Sequence, residues 1–230
     1  METVQERWEK LQERLGRAAA ATDRDLDDIA VVAVTKTRSP EEIDAALKTG
    51  LHLVGENRIQ EVATKKDAVQ RTAKWHFIGH LQSNKAARAV ELFEMVQSVD
   101  SQRLARALDR HAGARQRRLD ILIQVNTSNE PSKSGVAPSQ LRPLVEQIAP
   151  LAHLRICGLM TIGALSPDPL RVRACFTTLS KLRDQLDTAS IEGVELRYLS
   201  MGMSGDFELA IAEGANMVRL GTILFGPRPT

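Results

Sequence analysis

A chain of 230 residues, 43% hydrophobic and 26% charged, is long enough to bury one barrel-sized core and has the balance of an ordinary globular protein. A formal net charge of +2 calls for neither nucleic acid nor membrane as a partner, and the densest basic cluster, Arg115-Gln116-Arg117-Arg118, reads as a solvated helix-to-strand turn. Two cysteines, Cys157 and Cys175, with no CxxC, build no disulfide framework and point to a reducing, cytoplasmic setting.

The N-terminal stretch 1–21 is charged and helical in pattern, without the apolar region of a signal peptide, and no segment reaches the ~18 apolar residues of a membrane span. From there apolar, strand-like runs alternate with amphipathic stretches. The strands are expected at 29–34, 51–54, 75–79, 95–99, 119–125, 154–162, 194–199 and 216–220. The helices are expected at 40–49, 57–70, 83–92, 101–114, 138–149, 168–188 and 204–213. Ser39-Pro40-Glu41-Glu42 supplies an N-cap, a proline in the first turn and acids behind it; Pro138-Ser139 and Ser166-Pro167-Asp168 are similar. Gly50 and Gly214 stand where helix C-caps should.

Eight strands in strict alternation with helices imply a parallel sheet, and eight closes a (β/α)₈ TIM barrel with an extra N-terminal helix. An open doubly wound sheet is the competing architecture, but no GxGxxG follows the first strand, where a dinucleotide fold carries one. No linker divides the chain, so 1–230 is expected to form a single domain.

In such a barrel the active residues follow the strands, on the C-terminal face. The first strand is followed by Thr35-Lys36-Thr37. Burial at a barrel rim disfavours the charged form of an amine, and a neutral amine attacks carbonyls to give a Schiff base. The second strand is followed by Gly55-Glu56-Asn57-Arg58, the third by His80 and the segment to Lys85, and the fifth by the loop 126–135, which contains Lys133. After the seventh comes Ser200-Met201-Gly202-Met203-Ser204, and after the eighth Gly221-Thr222. The last two segments offer backbone N–H groups and hydroxyls on adjacent strands, where barrels bind phosphate. Arg219 alternates with Val218 and Leu220, so it shares the face of Met217. A buried arginine needs a partner, either a carboxylate such as Glu56 or a ligand. A lysine, a phosphate cradle and a positioned arginine converge on pyridoxal 5′-phosphate (PLP), which presents an aldehyde, a phosphate and a ring nitrogen.

Other candidates carry less. His76 and His80 lie four residues apart, ~13 Å along a strand, and cannot share one metal ion. His80 at the rim is a candidate ligand contact. Asn57 is either a helix cap or a pocket residue. Lys133 is either an exposed lysine or a ligand for a substrate or second phosphate.

These residues resemble a known family. AVTKTRSPEEI (33–43), GENRIQE (55–61), WHFIGHLQSNK (75–85), VNTSNEPSKSG (125–135), GLMTIG (158–163), LSMGMSGDFELAI (199–211) and RLGTILFG (219–226) together resemble the pyridoxal-phosphate homeostasis proteins, single-domain relatives of the alanine racemase barrel. The resemblance implies a PLP fold-type III barrel with the cofactor in Schiff-base linkage to Lys36. It implies phosphate contacts from 200–204, Ser200, Met201 and Ser204 included, and from Gly221 and Thr222. It also implies Arg219 facing the pyridine nitrogen and Asn57 in the pocket. Two positions depart from the pattern: Arg38 stands where many members have a second lysine, and Gly205 where an Asp is common. The function implied is to bind, buffer and deliver PLP inside the cell, with apo-enzymes as recipients and a monomeric protein. The alternative is an amino-acid racemase or other weak PLP enzyme. A two-base racemase needs a second acid/base opposite its lysine. The only tyrosine, Tyr198, lies within the seventh strand, on the wrong wall for that role. A cation at the ring nitrogen would further weaken the ring as an electron sink.

Overall fold

In the computed structural model, which describes residues 2–130 and 133–227, eight parallel strands close into a barrel in sequence order. They are β1 (Ala30–Val34), β2 (Leu53–Glu56), β3 (Lys74–Phe77), β4 (Met95–Val99), β5 (Leu119–Gln124), β6 (Leu154–Met160), β7 (Val194–Ser200) and β8 (Met217–Leu220). The helices are α1 (Val4–Ala20), α2 (Pro40–Lys48), α3 (Ile59–Lys65), α4 (Ala86–Leu92), α5 (Gln102–Ala114), α6 (Leu141–Ile148), α7 (Pro169–Thr188), α8 (Phe207–Ala212) and the short α9 (Thr222–Phe225). All eight expected strands form, and the closed parallel barrel is the (β/α)₈ architecture expected from the alternation.

Local chemistry sets the helix starts. Ser39 accepts from the Glu42 N–H while the Glu42 carboxylate accepts from Ser39 N–H, a reciprocal cap with Pro40 at the first helical position. Thr3 and Glu6 do the same for α1. Gly50 and Gly214 take the left-handed conformations expected of residues just past a helix, with φ of 99° and 96°. Several helices differ from expectation: α4 starts at Ala86 after a 3₁₀ turn over Ser83–Lys85, and α8 spans only Phe207–Ala212. The cap of α7 is Asp168 followed by Pro169, not Ser166 with Pro167. Pro138 opens a 3₁₀ turn, and α6 starts only at Leu141. The helix expected over 57–70 is confined to α3, whose N-cap is Arg58 with no side-chain bond.

Period-2 alternation sorts the strand side chains into two cores. Val32, Leu53, Met95, Leu122, Cys157, Met160 and Met217 fill the barrel. Val31, Ala33, Val54, Val96, Ile121, Ile123, Leu159, Val218 and Leu220 pack outward among the helices, with Leu11, Ile43, Leu108 and Phe207. Val32 lies in register with Leu53 on one side and Arg219 on the other. Arg219 therefore points inward, in phase with Met217. Past β8 comes the four-residue α9, and α1 packs against α8, α9 and α2 there, completing the helical ring.

Candidate functional site

The C-terminal ends of the strands surround a cavity of about 600 Å³. That is within the size range of small-molecule and cofactor sites. Each wall continues the phase of its strand. Val32 faces the barrel interior and Val34 and Lys36 line the cavity, while Thr35 turns outward and donates to Glu56 at 2.7 Å. Asn57 enters after β2, Ile78, Gly79 and His80 after β3, Gln124 and Asn126 at the end of β5, and Ile162 after β6. Met203, Ser204 and Gly205 enter after β7, and Arg219, Gly221 and Thr222 from β8 and its turn. At Gly79 the backbone of β3 and that of β2 come so close that a Cβ would lie 2.4 Å from the Asn57 carbonyl oxygen. Glycine is required there by proximity.

The β7 and β8 turns form one cradle. Ser204 Oγ accepts the N–H groups of Gly221 and Ile223 at 3.3 and 3.4 Å, joining the two segments. Asp206, its carboxyl pushed upward by burial, accepts the Met203 N–H at 2.6 Å and closes the turn. Among the described residues no acceptor takes the N–H of Ser204, Gly205 or Thr222. Unsatisfied N–H groups at successive turn positions make an anion-binding concavity.

Arg219 is buried, 5% exposed, and among the described residues makes no ion pair. Its guanidinium donates to Ser200 Oγ at 2.7 Å and to the Thr161 carbonyl at 2.8 Å. Burial draws its pKa down to about 10, with the charge of Asp206 acting in the opposite direction. Glu56, the carboxylate that could have paired with it, is elsewhere: it points out of the barrel and binds Lys65 at 2.7 Å. Asn57 is not a helix cap either. It lines the cavity, and its buried Oδ1 has no partner among the described residues.

Most of the candidate residues thus meet at one cavity: Lys36, Asn57, His80, Ser204, Arg219, Gly221 and Thr222. Ser200 and Met201 do not line it. Ser200 Oγ is engaged by Arg219 and by Gln97, and Met201 packs in the outer core with its N–H on the Met217 carbonyl. Strand β7 still runs through Ser200, so the cradle begins only where the backbone leaves the ladder. His80 stands exposed on the cavity wall, 3.2 Å from Ser134 Oγ. Lys133 is not simply an exposed lysine: its Nζ binds Glu130 at 3.0 Å and the Gly163 carbonyl at 2.9 Å, and it lines the cavity. Pro131 and Ser132 of that loop lie outside the described residues. Tyr198 packs against the barrel-interior cluster of Met95, Leu122 and Met217 and does not line the cavity. Among the described residues no three His, Cys, Asp or Glu side chains group to hold a metal ion, and no helix is long and apolar enough to cross a membrane.

Sequence reasoning passed over Arg38, Gln124, Asn126 and Ser134 as cavity residues. The last three belong to strand five or its loop, so position alone could have flagged them. It also missed the polar chain inside the barrel, in which Ser200 donates to Gln97 Oε1 at 2.6 Å and Gln97 Nε2 meets His76 Nδ1 at 3.0 Å. The signal was present: Gln97 and His76 interrupt the apolar runs MVQSV and WHF.

Fold and site together define a parallel barrel with a lysine, an anion cradle and a buried arginine at one mouth. The chain matches the alanine racemase N-terminal domain family over residues 6–229. It is 39% identical over 224 residues to the pyridoxal phosphate homeostasis protein of Aquifex aeolicus, covering 97% of both chains. It is 40% identical over 230 residues to that of Pseudomonas aeruginosa, covering 99% of this chain and 97% of the relative. Among solved structures, PipY of Synechococcus elongatus with PLP bound superposes with a TM-score of 0.83 at 35% identity, covering 97% of this chain and 100% of PipY. The chain belongs to the alanine racemase N-terminal domain family and, within it, to the pyridoxal phosphate homeostasis proteins.

Proposed function

We propose that this protein binds pyridoxal 5′-phosphate at the barrel mouth and serves intracellular vitamin B6 homeostasis by holding, buffering and delivering it. The observation that carries the reading is one cavity walled by Lys36, by the Ser204–Gly221 cradle and by Arg219. The donor set fits the cofactor. The N–H groups of Ser204, Gly205 and Thr222 lack protein acceptors among the described residues, the Asn57 Oδ1 lacks a donor, and the guanidinium lacks a carboxylate. PLP, when bound, supplies an aldehyde that condenses with an amine, a phosphate dianion and a pyridine nitrogen.

Lys36 is the residue that would bond the aldehyde carbon. Ser204, Gly205, Gly221 and Thr222 would hold the phosphate, and Ser200 and Met201 contribute from behind by fixing Arg219 and the strand. Arg219 would donate to the ring nitrogen, so that nitrogen carries no proton of its own. A cation there favours holding the cofactor over stabilising a carbanion on it. Tyr198, packed against the barrel-interior cluster, does not line the cavity and so is not placed to act as a base on a ligand held there. We further propose that the protein works as a cytoplasmic monomer with PLP-dependent apo-enzymes as recipients.

The test begins with absorption. Protein reconstituted with PLP is expected to show the visible band of a lysine Schiff base, and Lys36→Ala to lose it. Loaded protein is then mixed with an apo-enzyme, and recovery of that enzyme's activity reports transfer. A wild type that acquires no band sinks the cofactor reading. Sustained inversion of single L-amino acids that vanishes in Lys36→Ala would replace the carrier reading with a racemase.

A further inference from the structure

The residues on either side of Lys36 are both held by side chains of α3. Ahead of it, the Thr35 carbonyl accepts from Lys65 Nζ at 2.9 Å. Behind it, the Thr37 N–H donates to Glu61 Oε2 at 3.0 Å. Glu61 and Lys65 are one helical turn apart, and the same Oε2 also accepts from Lys65 Nζ at 3.3 Å. Lys65 is buried and pairs in addition with the fully buried Glu56 at 2.7 Å. The turn so held is a costly one. Thr37 has φ 64°, in the left-handed region that a β-branched residue rarely enters. A strained conformation persists only where its surroundings enforce it; here the Arg38 N–H closes the turn on the Thr35 carbonyl at 3.0 Å, and the Glu61 carboxylate is the side chain that holds Thr37 itself.

We infer that Glu61 and Lys65 are positioning residues for Lys36, an inference that rests on the proposal that Lys36 bonds the cofactor aldehyde. In that step Lys36 Nζ forms a C=N bond to the aldehyde carbon, and the carbonyl oxygen leaves as water with both amine protons. The amine must reach the aldehyde carbon of a molecule whose phosphate would be held by the turns after β7 and β8, and β8 is paired directly with β1. The reach is set by where the backbone places the Lys36 Cα. Misplacement by about 1 Å in such a geometry costs on the order of a hundredfold in rate. Glu61 and Lys65 do not line the cavity; they act through the peptide units flanking the lysine.

The experiment uses Glu61, because removing Lys65 leaves Glu56 buried and uncompensated and endangers the fold. The rate of Schiff-base absorption on mixing apo-protein with PLP is measured for wild type, Glu61→Ala, Glu61→Gln and the double variant Glu61→Ala with Thr37→Gly. Affinity for pyridoxine 5′-phosphate, which has the phosphate and ring but no aldehyde, is measured in parallel. Glu61→Ala is expected to slow capture roughly ten- to a hundredfold and to leave pyridoxine 5′-phosphate affinity within about threefold. Glu61→Gln, which keeps an acceptor oxygen, and the double variant, which relieves the positive φ, are expected to recover most of the rate. Capture by Glu61→Ala at the wild-type rate overturns the inference. So does a parallel loss of pyridoxine 5′-phosphate binding, which would make Glu61 a general structural residue. A wild type that forms no Schiff base overturns the underlying cofactor reading instead.

Discussion

Arg219 carries its charge into the barrel on a one-way chain of donors. Its guanidinium donates to Ser200 Oγ, Ser200 donates to Gln97 Oε1, and Gln97 Nε2 is then committed as the donor to His76 Nδ1. His76 must therefore keep Nδ1 unprotonated and stay a neutral imidazole. Burial acts in the same direction and lowers its pKa to about 4 from an ordinary 6.5, with Asp120 opposing. The unfolded chain consequently binds the His76 proton more readily than the folded one. This contribution to stability is whole above pH 6.5 and is lost as pH falls through the window down to about 4. Between pH 7 and pH 5 the loss amounts to about 2 kcal/mol. Urea midpoints at the two pH values should show that drop in wild type and lack it in His76→Gln. Equal drops in both proteins would mean that the imidazole is not the group responsible.

The site depends on two turns that act as one element. Gly202 sits at φ 92°, and a Cβ there would meet the Ala210 Cβ at 2.6 Å and the Phe207 Cα at 3.0 Å, both on α8. Gly202→Ala therefore both strains the backbone and pushes the cradle off its helix, at a cost of about 1–3 kcal/mol or more. Ser204→Ala is milder. It removes the shared acceptor of the Gly221 and Ile223 N–H groups and should cost about 1 kcal/mol while weakening inorganic phosphate as a competitor of PLP loading. If phosphate competes equally well with both variants and wild type, the anion lies elsewhere. These turns show how far the sequence could be read. Most strands were legible as apolar runs bounded by turn chemistry, and β7, VELRYLS, by its polar–apolar alternation. Lys36, Ser204, Gly221 and Thr222 were legible as cavity residues because barrel topology puts the residues just after a strand on the C-terminal rim. Ser200 and Met201 were misplaced because nothing in LSMGMS tells where β7 releases its ladder. The polar members of the Arg219–Ser200–Gln97–His76 chain could be flagged singly, but their pairing could not be read, because they are far apart in sequence and meet only when the barrel closes. Lys65 and Glu61 were hidden for a similar reason: on α3 they look like a solvated i,i+4 pair, and only the fold brings Thr35 and Thr37 to them.

At the scale of the molecule, closure of the helical ring falls to α1. The chain leaves β8 into a helix of four residues, Thr222–Phe225, too short to cover the last strand. Trp8, Leu11, Leu15 and Ala19 form the buried stripe of α1, which packs against α8, α9 and α2 beside it. Arg14 stacks 4.8 Å over the Phe207 ring and pairs with Glu208 at 2.7 Å, and Arg24 donates to the Ile211 and Ala215 carbonyls at the end of α8. The stripe and the polar contacts differ in weight. Leu15 is fully buried, so Leu15→Ala should cost about 2–5 kcal/mol and lower the melting temperature by about 5–15 °C. Glu208→Gln breaks a pair whose two side chains are 39% and 43% exposed, so solvent screening keeps its effect below about 1 kcal/mol. Because α1 packs on α8 and α9, the elements that carry the cradle turns, stability lost at Leu15 and stability gained from the ligand belong to one cooperative unit. Ligand at a hundredfold excess over its dissociation constant adds about 2.7 kcal/mol by mass action. Saturating PLP should therefore restore much of the Leu15→Ala melting temperature, by about the same increment as in wild type. A loss under about 1 kcal/mol in Leu15→Ala, or a variant whose melting PLP leaves unmoved, would mean that α1 folds and unfolds apart from the barrel it covers.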